Sequence, residues 1–365
     1  MSVTMTLATD LEDGKEACII AGWGSVSPAG WSAKELLAAI NGGKPLPSVT
    51  QRRSDTAPLR RVRPVPALKQ MPSWMKDARL RRSTSSTRFA LHAAMEALGE
   101  TWQTAIRKNE VRLGIIYCTM NGGMQYSRKF FSEVIDNPSL ASPILFPETV
   151  YNAAAGHLAA LLGTAEINYT LVGDNAQFLQ GISLASQWID ESMVDACLIV
   201  AAEEMDWLSD EALLLFSPQA IAAEGAAAVL VSRSNEATAS QGPRLPIRHI
   251  TRTISYAAQT GAKRAAKQMR EELFNAALPT DALLCDGQGA DARTDQAEAS
   301  VWEDWVGARL SPRRILGEGL AVTSGWQTVA ACETLAARRH PFALVSAVGT
   351  TGQATGMRIE SALQA

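Results

Sequence analysis

The segment Asn168–Ile189, NYTLVGDNAQFLQGISLASQWI, constrains this chain more than any other. Ile167 to Val172 reads as a short β-branched strand, Gly173-Asp174 as a tight turn, and the remainder as an apolar helix. A strand that turns sharply into a helix belongs to layered α/β architectures. It is also where many α/β enzymes mount a nucleophile, because the helix dipole stabilises a developing anion. Here the turn carries Asp174 and Asn175, and neither Cys nor Ser.

Similar units recur along the chain. Ala17–Trp23 predicts a strand and Trp31–Asn41 a helix, ended by Gly42-Gly43. Thr87–Trp102 has a wide apolar helical face, Leu113–Cys118 predicts a strand, and Phe130–Ile135 and Ala153–Leu162 predict helices. Strands at Val194–Ala202 and Ala226–Ser232 follow. A Ser-, Ala-, Gly- and Pro-rich stretch then reads as a linker over residues 234–246. Beyond it the order repeats: a strand at Ile247–Tyr256, a helix at Gly261–Ala277, a strand at Ala282–Cys285, and helices at Asp295–Trp305 and Gly325–Arg338. Strands at Phe342–Val348 and Gly356–Glu360 close the chain. The alternation predicts an α/β protein with a largely parallel sheet. Its expected parts are a flexible tail over residues 1–16, an N-terminal half over 17–233 and a C-terminal half over 247–365. Residues 44–85, rich in Pro and Arg, are expected to be irregular.

With 365 residues, 47% of them apolar, the chain can bury a large core. A net charge of −3 excludes an overall basic field for nucleic acid or membrane. No apolar run reaches the roughly 20 residues of a spanning helix. Residues 1–16 lack the basic-then-apolar order of a signal peptide. Cys18, Cys118, Cys197, Cys285 and Cys332 are scattered with no CxxC pair, which predicts buried free thiols and a cytoplasmic protein rather than disulfides or zinc.

Five motifs stand in a telling order: AGWGSVSPAG (21–30), SPILFPETVYNAAAGHLAALLG (142–163), VDACLIVAAEE (194–204), DGQGADARTDQAEA (286–299) and SAVGTTGQATGMRIE (346–360). Together they resemble the β-ketoacyl synthases of the thiolase-like superfamily. The second, with its S-P-x-x-F-P-x-x-x-x-N-x-A-A-G pattern, is the most specific. The resemblance implies a thiolase-like fold, two related halves forming five α-β-α-β-α layers. It also implies phosphopantetheine presented by an acyl carrier protein, with no bound cofactor or metal.

In that family a Cys holds the acyl chain, and two His residues stabilise the enolate formed by decarboxylation. The resemblance puts Asn175 at the nucleophile position, Asp286 at the first His, and Gly319, or Glu318 with a one-residue slip, at the second. Thr350 stands where the family has a gating Phe. The four histidines, 92, 157, 249 and 340, lie elsewhere. A carboxamide is not a nucleophile at neutral pH, so the resemblance is closest to the chain-length factor, a degenerate subunit that pairs with an active ketosynthase in type II polyketide, aryl-polyene or related fatty-acid-like biosynthesis. In that role the helix behind Asn175 (Phe178, Leu179, Ile182, Leu184, Ala185) is expected near the subunit interface. Two other readings stand beside it. One is a divergent acyltransferase or hydrolase using Asp174, Asp286 or Glu318 as base. The other is a structural homodimer that scaffolds carrier proteins.

Some residues also have plain structural readings. Asn175 suits a helix N-cap. Asp295 and Glu298 suit a helix start. His157 suits packing, and Met120-Asn121-Gly122-Gly123 suits a tight turn rather than a phosphate loop. Residues 52–88 are rich in Lys and Arg, with Asp55 and Asp77 the only acids. This is either a solvated surface or a carrier-protein docking patch using Arg52, Arg53, Arg60, Arg61 and Arg63. Lys263, Arg264, Lys267 and Arg270 form a second basic face, read as solvated.

Overall fold

The computed structural model describes residues 18–52, 57, 59–235, 238, 243–257, 261–274, 280–289 and 292–361. The expected tail over 1–16 and Arg53 lie outside these. The first part of the chain forms β1 (Cys18–Val26), α1 (Ala33–Gly42), β2 (Val49–Gln51), β3 (Arg60–Arg63), α2 (Ser85–Arg107), β4 (Leu113–Thr119) and α3 (Met124–Asp136). It continues with α4 (Ala153–Leu162), β5 (Asn168–Val172), α5 (Ala176–Asp190), β6 (Ala196–Glu203), α6 (Trp207–Phe216), β7 (Ala222–Ala223) and β8 (Gly225–Arg233). The second part forms β9 (Leu245–Ile250), β10 (Ile254–Ser255), α7 (Ala262–Leu273), β11 (Leu283–Cys285), α8 (Ala292–Val301) and β12 (Ala308–Leu310). It ends with α9 (Pro312–Leu316), α10 (Thr323–Ala336), β13 (Phe342–Val348) and β14 (Gln353–Glu360).

The strands join in the order β12-β11-β13-β14-β9-β1-β8-β6-β4-β5, with β10 on β14. Inward from either edge, the first two pairings are parallel and the next two antiparallel. The two sets meet where β1 pairs β9, Ile19 opposite Pro246 and Ile20 opposite Leu245. The expected largely parallel sheet is therefore mixed. Parallel pairing needs a crossover, and helices supply it between β4, β5 and β6; β13 and β14 are joined by a short turn and can only run antiparallel.

Side-chain alternation sorts the strands into layers. On β6, Ala196, Leu198, Val200 and Ala202 face a core shared with α2 and α4. Cys197, Ile199 and Ala201 face the opposite way, into a core shared with α5 and α10. On β13, Ala343, Val345 and Ala347 enter that same middle core, whereas Phe342, Leu344 and Val348 pack with α7, Trp302 and Trp305. The result is a five-layered α-β-α-β-α arrangement. The middle helices are covered on both sides, so α10 is buried at every residue from Thr323 to Cys332. Trp326 is its anchor: fully buried, it donates its indole N–H to the carbonyls of Val26 (3.1 Å) and Ala226 (3.2 Å).

Residues 44–85 are more ordered than their composition predicts. β2 pairs β3, and β3 pairs β7 through Val62–Ala222 and Arg63–Ala223. The short β12 and α9 were not legible either, since neither holds a full period of apolar residues. α2 begins at a Thr84 cap, whose Oγ1 accepts the Thr87 N–H at 3.1 Å, and it is broken at Gly99 (φ 56°, ψ −176°). All five cysteines are free and buried. Among the described residues, no helix is long and apolar enough to cross a membrane.

Candidate functional site

The elbow joins the end of β5 to the start of α5. Asn175 takes helical backbone angles (φ −59°, ψ −19°) at the N-cap position, but its side chain makes no capping hydrogen bond. The cap is Asp174, whose Oδ1 accepts the Ala176 N–H at 3.3 Å. Asp174 Oδ2 accepts from the Thr351 N–H (3.0 Å) and hydroxyl (2.5 Å). The capping role expected of Asn175 thus belongs to its neighbour. Asn175 is completely buried, and neither Oδ1 nor Nδ2 has a hydrogen-bond partner. Its carbonyl accepts a hydrogen bond from Ser324 of α10. The turn between β13 and β14 closes over it. A Cβ on Gly349 would stand 2.1 Å from Asp174 Oδ2 and 2.8 Å from Asn175 Oδ1, so only glycine fits there.

Asp286 lies just beyond β11, fully buried. Its Oδ1 accepts the Gln288 N–H at 3.2 Å; its Oδ2 has no hydrogen bond, with Arg309 Nε 3.5 Å away. Glu298 of α8 sits beside it, accepting from the Gly287 N–H (3.1 Å) and the Ser346 hydroxyl (2.5 Å). Burial pushes both carboxyls above the usual carboxylate range, and Asp286 adds charge repulsion at Glu298. Asp295 accepts the Gly289 N–H at 2.8 Å. Asp295 stands in the first turn of α8 as expected, whereas Glu298 lies further along the helix than a helix start; both fix the loop that carries Asp286.

Gly319 has no side chain to contribute, and Trp326 fills the space in front of it; a Cβ there would stand 2.5 Å from the indole. Glu318 accepts from the Leu320 N–H (2.8 Å) and the Thr323 hydroxyl (3.1 Å), and forms an ion pair with Arg313 of α9. Arg313 also donates to the Gly287 carbonyl at 2.8 Å. It thereby ties the Asp286 loop to the Glu318 segment, while Ser324 ties the elbow to the same stretch. Arg313, Ser324, Ser346 and Gln327, which donates to the carbonyls of Cys285 (3.2 Å) and Ser346 (2.7 Å), were missed from sequence. The sequence held little signal for them, since Arg313 shares its short helical turn with Arg314, Ile315 and Leu316.

The remaining expected residues are spread over the surface and the core. Glu203 accepts the backbone N–H groups of Met120 and Asn121 (3.2 Å for Asn121), so the 120–123 stretch is the expected turn. His157 meets Glu148 at 2.8 Å. Within the basic segment Arg52 and Arg61 are exposed and Arg60 is half-buried. Arg63 is buried, with its Nε donating to the Leu46 carbonyl at 2.8 Å; desolvation and Arg61 lower its pKa. It cannot serve a surface patch, because β3 turns it inward. On α7, Arg270 pairs with Asp304 at 2.6 Å and Lys267 with Glu271 at 3.7 Å.

The helix behind Asn175 is not an exposed interface element. Phe178, Leu179, Ile182 and Ala185 are fully buried in the middle layer. Exposed apolar surface lies instead on β5, an edge strand whose Tyr169 and Val172 are 52% and 51% exposed. More lies on and after α3, at Phe131, Ile135, Leu140, Ile144 and Phe146. α4 sits between the two, bonded to Asn168 of β5 through the Ala155 carbonyl (2.9 Å) and to Glu148 through His157.

The chain matches the family model of the beta-ketoacyl synthase N-terminal domain over residues 50–303. No curated protein sequence matches it. Among solved structures, the ishigamide ketosynthase/chain length factor is similar at a TM-score of 0.78 and 18% identity, covering 94% of this chain and 99% of that one. A beta-ketoacyl synthase from Burkholderia phymatum reaches 0.77 at 16% identity, covering 96% and 100%. A type II PKS ketosynthase solved in complex with its acyl-carrier protein and bound to the hexaketide reaches 0.76 at 14%, covering 95% and 99%. At these identities the structural likenesses speak for the fold, which is thiolase-like. On the family match and the fold together, this chain belongs to the beta-ketoacyl synthase family.

Proposed function

We propose that the chain is a non-catalytic ketosynthase-like subunit, a chain-length factor that pairs with an active ketosynthase and helps shape the space for the growing chain. The observation that carries this reading is the elbow: a carboxamide stands where the family needs a thiolate, and its side chain is sealed from solvent. Neither Asp286 nor Gly319 offers the N–H donor that an enolate requires. The open edge of β5, with its exposed Tyr169 and Val172, supports pairing with a second chain, because an apolar strand edge invites another strand. A carrier protein, presenting its chain on phosphopantetheine, would reach the pair through surface cations that include Arg52 and Arg61.

The divergent-hydrolase reading has less support. Asp174 is held by Thr351 and Ala176, and Glu318 by Arg313, so neither is free to take a proton from water. Asp286 keeps an unbonded oxygen, but it is fully buried.

Co-expression with a candidate ketosynthase, followed by native mass measurement, tests the proposal. A one-to-one heterodimer is expected. A homodimer that ignores the ketosynthase would favour the scaffold reading. Incubation of the isolated chain with malonyl- and acyl-carrier protein is expected to leave its mass unchanged and to yield no turnover; a covalent adduct or steady hydrolysis would overturn the non-catalytic role.

A further inference from the structure

Helix α3 lacks the buried stripe that anchors an ordinary surface helix: none of its 13 residues is buried. Polar groups tie it to the body instead. Arg128 grips Asp206 through two nitrogens (3.1 and 2.8 Å) and lies over the Trp207 ring. The Gln125 N–H donates to Glu204 (3.3 Å), and its side-chain amide to the Met205 carbonyl (3.1 Å). Phe131 and Ile135, one turn apart, are left 64% and 66% exposed. Leu140, Ile144 and Phe146 extend this apolar surface, and Phe146 is joined to Phe130 of the helix by a ring contact at 5.6 Å.

The surface runs on into β5. Val172 of β5 pairs with Thr119 of β4, and the turn after Thr119 leads straight into α3 at Met124. Tyr151 packs over that turn; a Cβ on Gly122 would stand 2.9 Å from its ring. Val150 and Tyr151 are exposed, as are Tyr169 and Val172. These nine side chains, roughly half exposed, offer on the order of 100 Å² each, about 900 Å² in all. That exceeds the roughly 300–600 Å² of the largest apolar patch on a typical monomer. It matches the ~800 Å² that each partner buries in a stable complex.

The edge of β5 decides what kind of occupant fits. Among the described residues, no strand pairs its outer side, so its N–H and C=O groups need partners that a lipid or an acyl chain cannot supply. Residues 124–172 hold two Lys or Arg (Arg128, Lys129) against four acids (Glu133, Asp136, Glu148, Glu166), so no cationic excess draws this face to an anionic membrane. A second polypeptide, bringing a strand and an apolar face of its own, meets both demands.

We propose that α3, the segment after it and β5 form one continuous interface, covered by the ketosynthase subunit. A strand of that partner lies along β5 while its apolar side chains cover Phe131, Ile135 and Phe146. Arg128 acts from behind as a positioning residue that sets the helix. This inference rests on the subunit role above and extends it from one strand edge to a full surface.

Hydrogen exchange read by mass spectrometry, on the chain alone and in complex with an active ketosynthase, tests this. Amides of α3 and β5 are expected to slow together by about tenfold or more in the complex, with those of α7 unchanged. Phe131→Ser and Ile135→Ser, both at exposed sites, are each expected to weaken pairing about tenfold or more. A heterodimer in which α3 exchanges as fast as in the isolated chain, or whose affinity neither variant changes, would overturn this inference and leave the subunit role standing. No heterodimer at all would overturn both. Slowed α3 exchange in a homodimer that the ketosynthase does not displace would assign the surface to a second copy and overturn the occupant named here.

Discussion

Arg313 illustrates how single residues hold this protein's central site. Its guanidinium is 2% exposed and joins Glu318 to the Gly287 carbonyl. A buried ion pair is weak evidence for stability as a whole, but removing one partner strands the other charge. Arg313→Ala is expected to lose about 3–5 kcal/mol in urea denaturation. The double variant Arg313→Met with Glu318→Leu should lose clearly less; equal losses would mean that packing, not charge, dominates.

Glu203 and Glu204, adjacent at the end of β6, make a second residue-scale prediction. Burial raises Glu203 to about 8 and Glu204 to about 7, against an ordinary value of 4.5, although both accept backbone N–H groups. Between those limits the folded chain holds protons that the unfolded chain has released. Their contribution to stability is complete below about 4.5 and is lost as pH rises through about 7 for Glu204 and 8 for Glu203. The melting temperature should fall from pH 5 to pH 9. Glu203→Gln, which cannot ionise, should flatten that slope.

At the scale of elements, the two halves of the opening motif have opposite fates. Helix α5 buries its apolar face in the middle layer, whereas β5 leaves residues of its own uncovered. Val172→Lys or Tyr169→Lys places a charge on the open strand. Either is expected to leave the unfolding free energy in urea denaturation within about 0.5 kcal/mol of the unsubstituted chain, because the sites are exposed. Either should also abolish co-purification with a ketosynthase partner. Retained pairing with both variants would move the interface elsewhere, with the apolar surface on and after α3 the next candidate.

At the scale of the whole molecule, the expected loss of chemistry is distributed over distant segments. Asn175→Cys supplies the missing thiol, yet no acyl adduct by intact mass and no condensed product are expected. The new side chain would face Gly349 in a sealed space, with no imidazole at Asp286 or Gly319. An adduct would show that the pocket opens and had only been disarmed.

Much of this architecture was legible beforehand. The elbow, the strand and helix order, the buried thiols and the absence of Cys and His at the aligned positions are local or ordinal properties, and a sequence displays them directly. The near-continuous apolar runs of β6 and β13 already imply a sheet covered on both faces. What local pattern does not encode is which distant segment does the covering. The sheet's mixed direction depends on how the connections close. The burial of Arg63 depends on β7, and that of α5 on β14 and α10. The capping of the elbow by Asp174 depends on Thr351, far along the chain. The sequence by itself determined that this is a layered α/β chain whose elbow carries neither Cys nor Ser. Only the tertiary structure decided that the elbow is sealed by Gly349 and that the helix behind it is core, while the strand before it is left open. The reason is that apolar periodicity specifies a face to be buried, and long-range packing alone chooses its partner.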